Sequence, residues 1–120
     1  MQEANKVVGK WHLENGLDID IYEQNGKYHG KIIALNDFND GQKLDEKNPD
    51  KSLRNRSLLG IVLLKNLSYN VEKGIWEDGK MYAPHMGMTA NLEIKKVASN
   101  TLTAVGSKLL FWHTEEWQRI

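Results

Sequence analysis

The chain contains no cysteine, only two prolines, no surplus of either charge and no apolar run longer than a strand. Without cysteine there are no disulfides, thiol nucleophiles, zinc–thiolate sites or iron–sulfur clusters. That absence leaves the compartment open, because a cysteine-free chain folds equally well in oxidising and reducing surroundings. Lys plus Arg and Asp plus Glu both number 16, for a formal charge of zero. A nucleic-acid binder needs excess cations to displace counterions from phosphates, so no nucleic-acid partner is expected. The longest apolar stretch, Leu58 to Leu64, is interrupted by Gly60. It falls far short of the roughly 18 residues that cross a bilayer, so no membrane span is expected. A chain of 120 residues suffices for one domain with one core.

What is present is period-two patterning. Leu17, Ile19 and Ile21 alternate with Asp18, Asp20 and Tyr22, as in a strand with one wet face. Asn25-Gly26 follows, a strong hairpin signal because both residues tolerate φ > 0, and Lys27 to Leu35 reads as the return strand. Asp78-Gly79, between Trp76 and Tyr82, reads as a second hairpin turn and Ser99-Asn100 as a further one. Ala90, Leu92 and Ile94 form the apolar face of another strand, and Leu102 to Gly106 and Leu109 to Ile120 complete the set. About eight strands at even spacing with sequential hairpins predict an all-β, antiparallel up-and-down barrel. The expected organisation is a flexible N-terminus over residues 1–6 and a single β-barrel domain over 7–120.

Two stretches break the rhythm. Asn36 to Arg56 is a long polar segment, and loops of that length in compact domains are functional or carry small elements of their own. Ser57 to Lys65 then reads as a strand apolar on both faces, with Leu58, Val62 and Leu64 on one and Leu59, Ile61 and Leu63 on the other. A barrel wall facing water does not look like that. Either the long loop covers the outer face or a second copy does, giving a homodimer through Leu58–Leu64.

Catalytic constellations are not legible. His12, His29, His85 and His113 sit on separate segments without ligand spacing, and Ser57, Ser68 and Ser107 lack a nucleophile elbow. Asp37-x-Asn39-Asp40-Gly41 fails the calcium-loop pattern at the glycine and at the closing glutamate. No metal and no cofactor are expected. Arg54 and Arg56 share a face if extended and could fork an anion, but the same segment supplies Asp45 and Asp50 as internal partners. Met81, Met86 and Met88 cluster around Tyr82 and Pro84, and flexible thioethers beside aromatics suit either a pocket rim or core filling.

The ends carry a resemblance. Gly9-Lys10-Trp11 together with Trp117-Gln118-Arg119 resembles the calycin signature of lipocalins and their relatives, which implies that Trp11 plugs the closed end and Arg119 packs across its ring. The pattern Leu44-Asp45-x-x-Asn48-Pro49-Asp50-x-x-Leu53-Arg54-x-Arg56-x-Leu58-x-Gly60, followed by Trp76-x-x-Gly79-x-x-Tyr82-x-Pro84-x-x-Gly87, is similar to a bacterial domain-of-unknown-function family. That family consists mostly of exported proteins with a lipocalin-like barrel, and the resemblance runs from Gly9 to Arg119 through Tyr28-x-Gly30-Lys31-Ile32. Two positions depart from it: Ala83 stands where an Asp is frequent, and Ala90 where a Tyr is common. No chemistry comes with the resemblance.

The reading is a lipocalin-like barrel, more binder than enzyme. It takes a small apolar molecule in a lumen lined by Tyr28, Ile32, Met81, Tyr82, Met88 and Trp112. An interaction module with a filled barrel is the alternative, and an enzyme of unknown reaction a third. The resemblance, and the polar segment Gln2 to Lys6 after Met1, lead to the expectation of a periplasmic or secreted protein whose signal peptide has been removed.

Overall fold

The computed structural model describes residues 3–120. Eight antiparallel strands follow one another around a closed barrel: β1 (Gly9–His12), β2 (Asp18–Gln24), β3 (Lys27–Ala34), β4 (Val62–Asn70), β5 (Ile75–Ala83), β6 (Met88–Val97), β7 (Thr101–Lys108) and β8 (Phe111–Arg119). The up-and-down barrel anticipated from the patterning is therefore the fold. β1 and β8 close it through two residue pairs, Trp11 with Arg119 and His12 with Gln118. The alternating residues Leu17, Ile19, Ile21, Ile32, Leu92 and Ile94 all point into the core.

The segment 1–6 was expected to be flexible. Met1 and Gln2 lie outside the described residues, and Glu3–Val7 form a 3-10 helix docked across one end of the barrel. The Trp76 indole N–H donates to the Ala4 carbonyl at 2.9 Å, and the Tyr28 hydroxyl to Asn5 Oδ1 at 2.7 Å. Those side chains would otherwise bury unpaired polar atoms, so the helix satisfies them while covering the apolar end.

One hairpin turn agrees with the sequence reading and two differ. Asn25-Gly26 is a hairpin turn, both residues at positive φ. Asp78-Gly79 is not: it lies inside β5, where Asp78 has φ 65 and the pairing to β6 slips between Trp76 and Gly79. An Asp-Gly pair tolerant of left-handed backbone serves a β-bulge as readily as a hairpin, and local sequence does not distinguish them. The turn between β7 and β8, expected before Leu109, is Leu109-Leu110 itself, since Lys108 pairs with Phe111.

The doubly apolar strand is also revised. β4 begins at Val62, and Leu58 to Ile61 form a turn in which Ile61 and Gly60 exchange backbone hydrogen bonds with Ile32. Pairing of β3 with β4 skips Leu63 between Gly30–Leu64 and Lys31–Val62. The bulge leaves both Leu63 and Leu64 buried. Leu58, also fully buried, is held by its amide to the Lys43 carbonyl at 2.9 Å. Only Leu59 of that run is well exposed, so the apolar outer face offered for a second copy is consumed within the chain.

Candidate functional site

The two ends of the barrel are built differently. At the closed end Arg119 Cζ lies 4.2 Å from the centroid of the Trp11 ring. Its guanidinium also donates to the carbonyls of Ser99, Val8 and Lys6 at 3.0, 3.2 and 3.0 Å. Trp11 Nε1 donates to the Val7 carbonyl at 3.0 Å. A Cβ on Gly9, which has φ 138, would fall 2.6 Å from Arg119 Nη1, so the glycine of Gly-x-Trp makes room for the arginine. Trp11 and Arg119 are thus the structural closure the sequence suggested.

The long loop is clasped by an equally closed network. Asp45 is fully buried; Oδ2 accepts from Arg56 Nε at 2.9 Å and Asn48 Nδ2 at 2.8 Å, and Oδ1 from the Tyr82 hydroxyl at 2.6 Å. Burial alone would raise the Asp45 carboxyl, but hydrogen bonds from Tyr82, Asn48 and Arg56, with the Arg56 charge, outweigh it and hold it below its ordinary value. Tyr82 is pushed up to about 12, first by burial and then by its bond to the Asp45 carboxylate. Arg54 Nε donates to the Asn48 carbonyl at 2.7 Å. Asp50 stands apart from Asp45: it caps the one-turn 3-10 helix Lys51–Leu53 by accepting from the Ser52 amide at 3.0 Å. Its carboxyl is lowered chiefly by the Ser52 hydrogen bonds. Asp45, Asp50, Arg54 and Arg56 therefore tie the loop to itself rather than presenting a paired anion fork.

The second motif receives this loop. Tyr82 holds Asp45, the Pro84 carbonyl accepts from Gln42 Nε2 at 3.3 Å, and Gly87 faces Lys47 so closely that a Cβ would sit 1.9 Å from the Lys47 carbonyl oxygen. Gly87 also has φ 67, which a larger residue adopts only under strain. The two motifs are thus one interlocking contact between loop and β5–β6 turn. Within the loop, Asn39 and Asp40 take left-handed backbone around the buried Phe38, a conformation Asn and Asp tolerate.

The opposite end is open. A cavity of about 770 Å³ is floored by Leu92, Ala104 and Trp117 and walled by Met81, Met88 and Ala90. Its lip carries Met86, Leu109, Phe111 and Trp112. Of the lumen residues expected from the sequence, Met81, Tyr82, Met88 and Trp112 line this cavity, although the Tyr82 hydroxyl is committed to Asp45. Tyr28 and Ile32 do not line it. Tyr28 points to the closed end, where burial and then the Glu23 charge raise its phenol, and Ile32 is packed in the core. Both positions alternate inward correctly, but period two assigns a face and not a depth along the barrel axis.

Sequence reasoning missed His113, Glu115, Glu14 and Asn15, which enter the cavity from β8 and from the turn between β1 and β2. His85 lines it with a buried Nδ1 that has no partner among the described residues. Its ring meets Phe38 edge-on at 6.0 Å. His12 and His29 lie elsewhere, bonded to Asp18 and to the Asn66 amide. Ala83 and Ala90, the two departures from the family pattern, both line the cavity, where small apolar residues leave space.

A closed eight-stranded meander, plugged by a tryptophan under an arginine and hollow at the other end, defines a lipocalin-like barrel. The chain belongs to the family described as an uncharacterized protein conserved in bacteria (DUF2147), which it matches over residues 9–119. It is similar in structure to protein HP1028 from the human pathogen Helicobacter pylori, which belongs to the lipocalin family, with a TM-score of 0.83 and 25% sequence identity. The similarity covers 95% of this chain and 82% of that one. No curated protein matches the chain.

Proposed function

We propose that the protein binds one small, largely apolar molecule in the open half of its barrel, without acting on it chemically. The observation that carries this reading is the cavity of about 770 Å³, whose floor and walls are mainly apolar although the other half of the same barrel is fully packed. That volume is in the range of pockets for single small molecules. A guest covering a few hundred Å² at about 25 cal/mol per Å² reaches micromolar affinity after association costs. His85 Nδ1, buried without a partner among the described residues, supplies a place for one polar group of the ligand. Asp45 and Tyr82, the perturbed acid and phenol beside the cavity, satisfy one another under the loop, which favours binding over catalysis. Location in the periplasm or outside the cell, implied by the resemblance of the motifs, belongs to the same proposal and is checked by cell fractionation.

Native mass spectrometry of gently purified protein, with dye-displacement titration, tests the reading. A copurified small mass and saturable dye binding are expected. Ala90→Phe places a ring in the cavity and should abolish dye binding while leaving the fold intact by circular dichroism. No bound mass and no saturable dye binding by the wild type would make the barrel a scaffold and turn attention to its surface.

A further inference from the structure

We propose that the lip of the cavity seats on a lipid bilayer through the β7–β8 tip, so that the mouth faces the membrane and takes an amphiphile from it. The identity of the cargo rests on the proposed function; the seating rests on the tip itself. Leu109, Leu110, Phe111 and Trp112 are consecutive and 88%, 82%, 78% and 70% exposed. Protein surfaces seldom carry such a run, and an exposed apolar cluster at a loop tip marks an interaction site. The other sharp two-residue hairpin, at the closed end, is Asn25-Gly26.

The tip is also held against local preference. Leu109 has φ 56, and hairpin turns give that backbone to Gly, Asn or Asp. A leucine there bears both strain and exposure, a combination expected where a side chain serves a partner. The order of residues matches a bilayer interface. The two leucines stand at the apex, Phe111 and Lys108 form the first pair behind them, and Trp112, opposite Ser107, stands one step further back, so that lysine and tryptophan follow the apolar apex as they do where they anchor membrane proteins.

A second copy fits this surface less well. The four side chains together expose on the order of 600 Å², short of the roughly 800 Å² per partner of a stable protein interface. They also form a protrusion, which a fluid medium accommodates without a matching pocket. The tip is continuous with the cavity, since Leu109, Phe111 and Trp112 line both, so one surface receives the tip and supplies the ligand. The net charge is zero, so apolar insertion rather than attraction to anionic lipid drives the contact.

The test is flotation of the full chain with phosphatidylcholine vesicles, with and without phosphatidylglycerol, at low and high salt. The wild type should float with both compositions at both salts, and vesicles should shift its tryptophan emission to the blue. Leu109→Gly with Leu110→Ser supplies the residues this turn prefers, so the variant should fold with an equal or higher Tm and lose flotation by at least about tenfold. Val71→Ser, at the exposed closed-end turn, should float like the wild type. Equal flotation of the tip variant, no flotation of the wild type, or flotation only with phosphatidylglycerol at low salt would each overturn the proposal. So would a concentration-dependent dimer in sedimentation equilibrium that the tip variant loses, because the tip would then be occupied by a second copy. Dye binding separates this from the cavity reading: Leu110→Ser alone, at the one residue of the tip that does not line the cavity, should float less and still bind dye in solution, and flotation of the wild type without dye binding would leave seating intact and remove the cargo.

Discussion

The closed and open ends of this barrel are made from the same eight strands by opposite use of polar and apolar groups. At the closed end two indole N–H groups, a phenol and a guanidinium all find partners on the Glu3–Val7 helix or the residues flanking it, and Trp11 is wholly covered. At the open end His85 Nδ1 is buried without a partner among the described residues, and the four apolar side chains of the β7–β8 tip stand in water. Core packing and hydrogen bonding are complete where the barrel is only structural. They are incomplete where a ligand or a surface would complete them. Between the ends lies the loop, whose buried Asp45 is locked to β5. It belongs energetically with the closed end although it flanks the mouth.

The largest effect that tests this contrast is Trp11→Ala, which should cost on the order of 3–5 kcal/mol in urea unfolding as a large core truncation. Its counterpart at the mouth, Met88→Ala, should cost less than about 1 kcal/mol, because Met88 is already 43% exposed. Equal losses would mean that the two ends are not energetically distinct.

Next is the clasp. Asp45→Asn removes the charge that Arg56 and Tyr82 are arranged around, and should cost about 2 kcal/mol. Amide exchange should rise across residues 36–56 with little change at the closed end. Unchanged protection in the loop would show that the network does not hold it. Gly87→Ala should loosen the same segment from the other side, because its Cβ collides with backbone at Lys47.

Arg119→Ala should cost about 1–2 kcal/mol. A double-mutant cycle with Trp11→Ala should show coupling above about 0.5 kcal/mol, and its absence would break the assignment of this pair as the closure.

The smallest effect is in pH dependence. Tyr82 keeps its proton in the folded state up to about 12, whereas an unfolded tyrosine loses it near the ordinary value of about 10. The folded state therefore binds more protons in that window, and stability should fall as pH rises through it. Tyr82→Phe should shallow the alkaline decline without abolishing it, since Tyr28 is raised in the same direction. Asp45 acts in the opposite range. Its lowered carboxyl lends stability that is present above the unfolded carboxylate value and is lost as pH falls through the folded one.

Much of this was legible in the chain. Alternation at Leu17, Ile19 and Ile21 assigned an inward face because side chains on a strand alternate strictly. The Asn25-Gly26 turn was legible because its backbone demands those residues. Trp11 and Arg119 could be paired because their motifs lie on the first and last strands of a barrel that must close. The internal Asp45–Arg56 pairing followed from acids and bases placed in one segment.

Other features were decided by tertiary structure. Asp78-Gly79 became a bulge and Leu109-Leu110 a turn, because strand register is settled by pairing across the whole sheet and not by the dipeptide. Leu58 and Leu63 were buried by a turn and a bulge that no local period encodes. Tyr28 and Met81 share the same inward alternation, yet one points to the closed end and the other walls the cavity. The sequence by itself determined which faces turn inward and which strands must meet, because those depend on neighbours along the chain. Only the closed barrel decided how deep each side chain lies, which end is filled and which left hollow, because depth depends on shear and on what the loops and the N-terminal helix cover.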